Sequence, residues 1–74
     1  MKRIERLLKK MAEENLPAMY VSNPKNVRYL CGFTGEDSAL LLTENAVFFL
    51  TDKRYVEQAR GELNNPIQIV CWTQ

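Results

Sequence analysis

Apolar residues in this chain follow two kinds of spacing, and the changes between them predict the order of its elements. Over residues 2–15, Ile4, Leu7, Leu8 and Met11 recur at i, i+3, i+4 and i+7, which draws one apolar stripe along a helix. Lys2, Arg3, Arg6, Lys9 and Lys10 occupy the rest of that helix as a solvated face, and Glu13 and Glu14 close it. Pro17 ends it, because the residue before a proline is pushed out of the helical region. Residues 18–21 (AMYV) read as a short buried strand. Asn23-Pro24 starts a turn, and Pro24 suits the first position of a second helix over residues 25–31. Val27, Leu30 and Cys31 share a face of that helix, and Gly32 stands where a left-handed residue would stop it.

The pattern then changes. Residues 39–42 and 46–50 are continuous apolar runs without alternation, which predicts strands covered on both faces and helices on each side of a sheet. Their link, Thr43-Glu44-Asn45, implies an antiparallel hairpin. Thr51 or Asp52 can cap a helix over residues 53–63, with Val56, Ala59 and Leu63 facing inward. Gly61 weakens its last turn by roughly 1 kcal/mol relative to alanine, so fraying is expected there. Asn64-Asn65-Pro66 makes a turn, and residues 67–72 form a last strand. A right-handed crossover makes that strand parallel to residues 46–50. The predicted order is αβαββαβ: an α/β fold whose small mixed sheet is flanked by helices.

Composition bounds what such a fold can do. The 74 residues allow one domain, 1–74, with a thin core, since a domain this small buries only about 60% of the surface its unfolded chain exposes. With 26% charged residues and a net charge of +1, there is no electrostatic case for nucleic acid or an anionic membrane. No apolar run approaches the roughly 18 residues of a membrane span, and the N-terminal helix is dotted with acids, unlike a signal peptide. Cytoplasmic residence is the expectation. Cys31 and Cys71 lie far apart without CxxC spacing and read as reduced, partly buried thiols. There is no histidine, which removes the most versatile general base and the commonest transition-metal ligand. The acids form no spaced cluster, so no metal site is expected and the chain is poorly equipped for catalysis alone.

Candidate chemistry gathers in two loop clusters at strand ends. Residues 26–35 combine Arg28, Tyr29, Phe33 and Thr34 with Gly32 and Gly35; residues 51–55 place Asp52, Lys53, Arg54 and Tyr55 directly after an apolar run. Loops of this composition on a rigid sheet suit ligand contact. Gly-Phe-Thr-Gly lacks the lysine and spacing of a phosphate-binding loop.

The runs RIERLLKKMAEENLPAMYVSNPKNVRYLCGFTG, ALLLT and LTDKRYVEQA together resemble the N-terminal domain of the creatinase/prolidase family, nearest to bacterial Xaa-Pro aminopeptidases and Xaa-Pro dipeptidases. N-x-R-Y-L-x-G-F-T-G followed by T-D-x-R-Y carries the likeness; either motif alone is weak. The resemblance implies a ribonuclease H-like α/β unit joined to a separate pita-bread catalytic domain. In the peptidases of that family, two Asp, one His and two Glu bind two divalent metals, commonly manganese or cobalt. Those metals activate a water against the bond before proline. It also implies contact with a proline-containing peptide and a homo-oligomer, often a dimer, in which the N-terminal domain helps wall the active site.

By that resemblance Arg54 approaches the substrate peptide, where its fixed fork of donors can hold a carbonyl or carboxylate. Asp52 orients Arg54, Tyr55 packs beside it, and Phe33 offers a flat apolar surface to a proline ring. Structural readings stand beside these. Asp52 serves equally as a helix cap, Arg54 as half of a structural ion pair, Arg28 as a surface partner of Glu36 or Asp37, and Tyr29 and Tyr55 as half-buried packing residues. The apolar end of the chain suggests a fragment, or a piece that pairs with another chain. A stand-alone dimerising or partner-binding module is therefore the rival reading. Creatine hydrolysis, a metal-free chemistry of the same family, is a third.

Overall fold

A computed structural model describes residues 2–63 and 67–71 of the chain. Its elements are α1 (Lys2–Glu13), β1 (Ala18–Val21), α2 (Pro24–Cys31), β2 (Ser38–Thr43), β3 (Val47–Thr51), α3 (Val56–Glu62) and β4 (Gln68–Cys71), with a single 3-10 turn (Lys53–Tyr55) leading into α3. The order αβαββαβ is the one the sequence predicts. The expected turn at residues 64–66, and Trp72 of the last strand, lie outside the described residues.

Local chemistry explains the boundaries. α1 stops before the chain reaches Pro17, because Asn15 takes a left-handed conformation at φ 59°. The Asn15 N–H donates to Ala12 at 3.2 Å and the Leu16 N–H to Met11 at 2.8 Å, which ties off the last helical carbonyls. In α2, the Asn23 side chain accepts from the Lys25 and Asn26 N–H groups at 2.9 and 3.3 Å. Pro24 follows in the first turn, and Gly32 at φ 85° closes the helix by donating to the Arg28 carbonyl. A side chain at Gly32 would be strained in that conformation. The link between β2 and β3 is fastened by Thr43, whose hydroxyl donates to the Ala46 carbonyl and accepts from the Ala46 N–H.

The four strands lie in the order β1-β2-β3-β4. β1 and β2, and β2 and β3, run antiparallel; β3 and β4 run parallel, as a strand–helix–strand crossover requires. Register sorts the side chains onto two faces. Val21, Leu40, Phe49 and Ile69 share one face, with Met19, Leu42 and Val47 beside them. These residues pack with Ile4 and Met11 of α1, Val27 and Cys31 of α2, and Ala59 of α3 in one core. Phe33, Phe49, Leu40 and Leu42 are fully buried there. Each contributes on the order of 1.5–3 kcal/mol of transfer free energy.

The other face corrects the expectation of helices on both sides. It carries Tyr20, Leu41, Phe48 and Gln68 in one row and Ala39, Leu50 and Val70 in the next. Ala39 is fully buried, but the others lie outside the inner core cluster. Among the described residues all three helices serve the inner face. A continuous apolar run requires apolar side chains on both faces of a strand, but it does not require a cover for both. β1 is likewise an edge strand and not a buried one, with Ala18 exposed and Tyr20 60% exposed.

Candidate functional site

The two loop clusters meet because of strand register. Ser38 at the start of β2 pairs with Thr51 at the end of β3, so the residues just outside them, Asp37 and Asp52, flank the same end of the hairpin. The buried Thr51 hydroxyl donates to the Asp37 carbonyl at 3.4 Å, and Asp37 itself sits at φ 51°, a left-handed conformation that aspartate tolerates.

Asp52 caps the 3-10 turn, its Oδ1 accepting from the Arg54 N–H at 2.9 Å. The same carboxylate takes Arg54 Nε at 3.2 Å and Nη2 at 3.5 Å. The two sequence readings of Asp52, cap and orienter of Arg54, are therefore both realised by one side chain. Arg54 also reaches Asp37 Oδ2 at 3.5 Å and lies 5.2 Å from the centre of the Tyr55 ring. The Arg54 N–H, and then its side chain, hold the Asp52 carboxyl below its usual range. Hydrogen bonding to Asp52 in turn raises the Arg54 pKa. The guanidinium is thus oriented yet open, its side chain 67% exposed against 22% for Asp52. Exposed pairs of this kind add little stability. Their effect is to aim the fork.

Phe33 corrects the sequence reading. It is fully buried, its ring 4.7 Å from Phe49 and 6.3 Å from Tyr55, both edge-on. Its flat surface belongs to the core, and it supports Tyr55 from beneath. The chain can fold over it because position 35 is glycine: a Cβ there would meet the Phe33 ring at 2.6 and 2.8 Å.

A second fastening had no clear sequence signal. The Thr34 N–H and hydroxyl both donate to the Glu62 carboxylate at 2.9 to 3.1 Å, and Gln58 donates to Thr34 and Glu62. The Thr34 N–H, then its hydroxyl, lower the Glu62 pKa, with Gln58 and the charge of Arg28 adding to them. Glu62 and Gln58 are spaced i, i+4 on the polar side of α3, a signal shared by any solvated helix face. Arg28 therefore acts on Glu62, while Asp37 pairs with Arg54, not with Arg28.

The remaining candidates scatter. Tyr29 is 57% exposed and carries the Arg3 guanidinium 4.1 Å over its ring, so it is no half-buried packing residue. Cys31 is buried, which raises its pKa; Cys71 is exposed, contrary to expectation. A groove of about 250 Å³ lined by Leu8, Met11, Ala12, Leu16 and Glu44 lies by the hairpin turn, at the opposite end of β2 and β3 from Arg54. Among the described residues no three His, Cys, Asp or Glu side chains are grouped to hold a metal ion.

This fold, with these two loops at one end of its hairpin, has known counterparts. The profile of the creatinase/prolidase N-terminal domain matches residues 3–74, and the chain belongs to that family. The Xaa-Pro dipeptidase from Bacillus anthracis shares the fold at a TM-score of 0.89 and 32% identity, over 100% of this chain and 21% of that one. The N-terminal domain of the cytoplasmic peptidase PepQ from Mycobacterium tuberculosis H37Rv gives a TM-score of 0.85 and 33% identity, over 95% of this chain and 55% of that domain. The uncharacterized peptidase YqhT of Bacillus subtilis (strain 168) is 33% identical over 61 residues, 82% of this chain but 17% of YqhT. The chain thus spans about half of a solved N-terminal domain and about a fifth of a full-length relative. No described helix is long and apolar enough to cross a membrane.

Proposed function

We propose that this chain acts as the non-catalytic N-terminal domain of a cytoplasmic Xaa-Pro metallopeptidase of the aminopeptidase P or prolidase type, where it shapes substrate access and subunit association. Its solved relatives include an Xaa-Pro dipeptidase and an aminopeptidase P. The catalytic domain of such an enzyme would hold the two divalent metals, manganese or cobalt, that would activate a water against the peptide bond before proline. This chain has no histidine, and among the described residues no three potential ligands are grouped, so the proposal assigns its residues no step of the chemistry.

One observation carries the reading: Arg54 is oriented by Asp52 and steadied by Asp37 and Tyr55, while its side chain stays 67% exposed. That posture suits recognition of a peptide carbonyl or carboxylate at the rim of an active site. Tyr55 adds a ring beside the guanidinium, and Phe33 supports that ring from the core. In the metallopeptidase that carries this domain, Arg54→Ala should lower kcat/KM for Xaa-Pro peptides about tenfold or more, as expected for losing a charged hydrogen bond. Bound metal should stay unchanged by elemental analysis. Wild-type kinetics in that variant remove Arg54 from the site.

The second reading, a module that binds a partner without catalysis, rests on the apolar outer face of the sheet, which no described helix covers.

A further inference from the structure

We propose that Asp37 is a specificity-determining residue, which fits Arg54 to the neutral carbonyl of a continuing peptide and turns away a free carboxylate. This rests on the reading of Arg54 as the residue that meets the substrate, and it narrows the class of substrate. The group that follows proline is a carboxylate in an Xaa-Pro dipeptide and an uncharged carbonyl in any longer peptide. What Arg54 has left to offer decides between the two.

Donor by donor, most of the guanidinium is taken. A carboxylate is held best by two adjacent N–H donors acting as a fork. Asp52 occupies one such fork, with Nε at 3.2 Å and Nη2 at 3.5 Å. Asp37 Oδ2 stands 3.5 Å from the same Nη2 and so draws it out of the second fork, Nη1 with Nη2. Of the three nitrogens, Nη1 alone bonds to none of the described residues. A lone N–H donor matches a single carbonyl oxygen.

Charge points the same way. Two carboxylates against one guanidinium leave the three side chains with a net charge of −1. Lys53 and Glu36, their neighbours along the chain, cancel each other in formal charge. An incoming carboxylate therefore meets a surplus of its own sign, whereas a carbonyl meets only an N–H dipole. Discrimination of this kind comes from repelling the wrong group. Asp37 is fixed for the task from within the hairpin. Ser38 pairs with Thr51, the buried Thr51 hydroxyl donates to the Asp37 carbonyl at 3.4 Å, and the left-handed backbone of Asp37 at φ 51° brings its carboxylate to Arg54. These contacts all lie within residues 37–54, so they do not depend on an open rim.

The test compares kcat/KM of the full-length, metal-loaded metallopeptidase for alanyl-proline, which ends in a carboxylate, and for alanyl-proline amide, which does not. The wild type should prefer the amide by about tenfold or more. Asp37→Asn keeps a residue at ease in the left-handed backbone and should cut that preference by about threefold or more, through a faster dipeptide and an unchanged amide. Should that variant fail to fold, Asp37→Gly suits the same backbone and decides instead. Glu36→Gln removes an equal charge from the same loop and should leave the preference as it was. Salt at about 0.5 M should weaken the wild-type preference more than that of Asp37→Asn, because the repulsion is screened. A wild type that prefers the dipeptide overturns the proposal, as does an Asp37→Asn variant that slows both substrates alike, or a Glu36→Gln variant that matches it. In each of these cases Arg54 keeps its place if Arg54→Ala still slows the amide. If Arg54→Ala leaves both substrates at wild-type rates, the site itself fails and this proposal falls with it.

Discussion

Leu40 and Leu41 are chemically identical neighbours on β2, yet they belong to different environments. Leu40 is fully buried against Phe49 and the helices, whereas Leu41 faces Tyr20 and Phe48 on the side that no described helix covers. The inner face is held by three helices, two aromatic rings in contact and the fastening of Thr34 to Glu62. Among the described residues, no helix packs on the outer face, which rests on the backbone ladder beneath it. Hydrophobicity at a position thus reports what the side chain needs, and topology decides whether the same molecule supplies it.

The widest gap between the faces should appear in the pair Leu40→Ala and Leu41→Ala. By urea unfolding, Leu40→Ala should cost about 2–5 kcal/mol, enough to unfold much of so small a domain. Leu41→Ala should cost about 1 kcal/mol or less. Equal losses would abolish the distinction. Next in size are two glycines. Gly35→Ala forces a Cβ into the Phe33 ring and should destabilise by about 1–3 kcal/mol. Gly61→Ala meets nothing within 4 Å on a helical, exposed site and should stabilise by up to about 1 kcal/mol. Thermal melts of both variants check the opposite signs.

The smallest effect concerns the loop side of the inner face. Glu62 and Asp52 titrate lower in the folded chain than unfolded. Their contribution is therefore complete above the ordinary carboxylate range, roughly pH 4, and is lost as pH falls through the lowered folded values. Melting temperature should drop on acidification from pH 5 to about pH 3, and Glu62→Gln should flatten that limb. An unchanged slope would detach Glu62 from the fastening.

Element order was legible because it depends on local chemistry. Asn23-Pro24 and Gly32 define α2 by themselves, and the Thr43-Glu44-Asn45 link admits a hairpin and little else. The Asp52–Arg54 pair was legible for the same reason: two residues apart, with a cap position between strand and helix. What escaped the sequence is whatever depends on long-range packing. The left-handed Asn15 ended α1 ahead of the proline that promised to do so. Phe33 sat in a loop motif and proved to be core, because its depth is set by Phe49, Tyr55 and the absent side chain at Gly35, which lie in three separate segments. Asp37 and Glu62 became partners of Arg54 and Thr34 through register and crossover, which no spacing along the chain expresses.

The spatial order of the strands repeats their order in the chain, β1-β2-β3-β4, with none threaded between two others. Both margins of the sheet therefore belong to its first and last strands. A sheet built this way can grow by appending, since a new strand at either margin breaks no pairing already made. This chain covers 55% of the solved PepQ N-terminal domain and 56% of the solved Streptococcus thermophilus aminopeptidase P chain, so both are longer than the four-stranded unit seen here. Such a scaffold can acquire length in evolution as a wall acquires courses of brick, without any existing course being lifted.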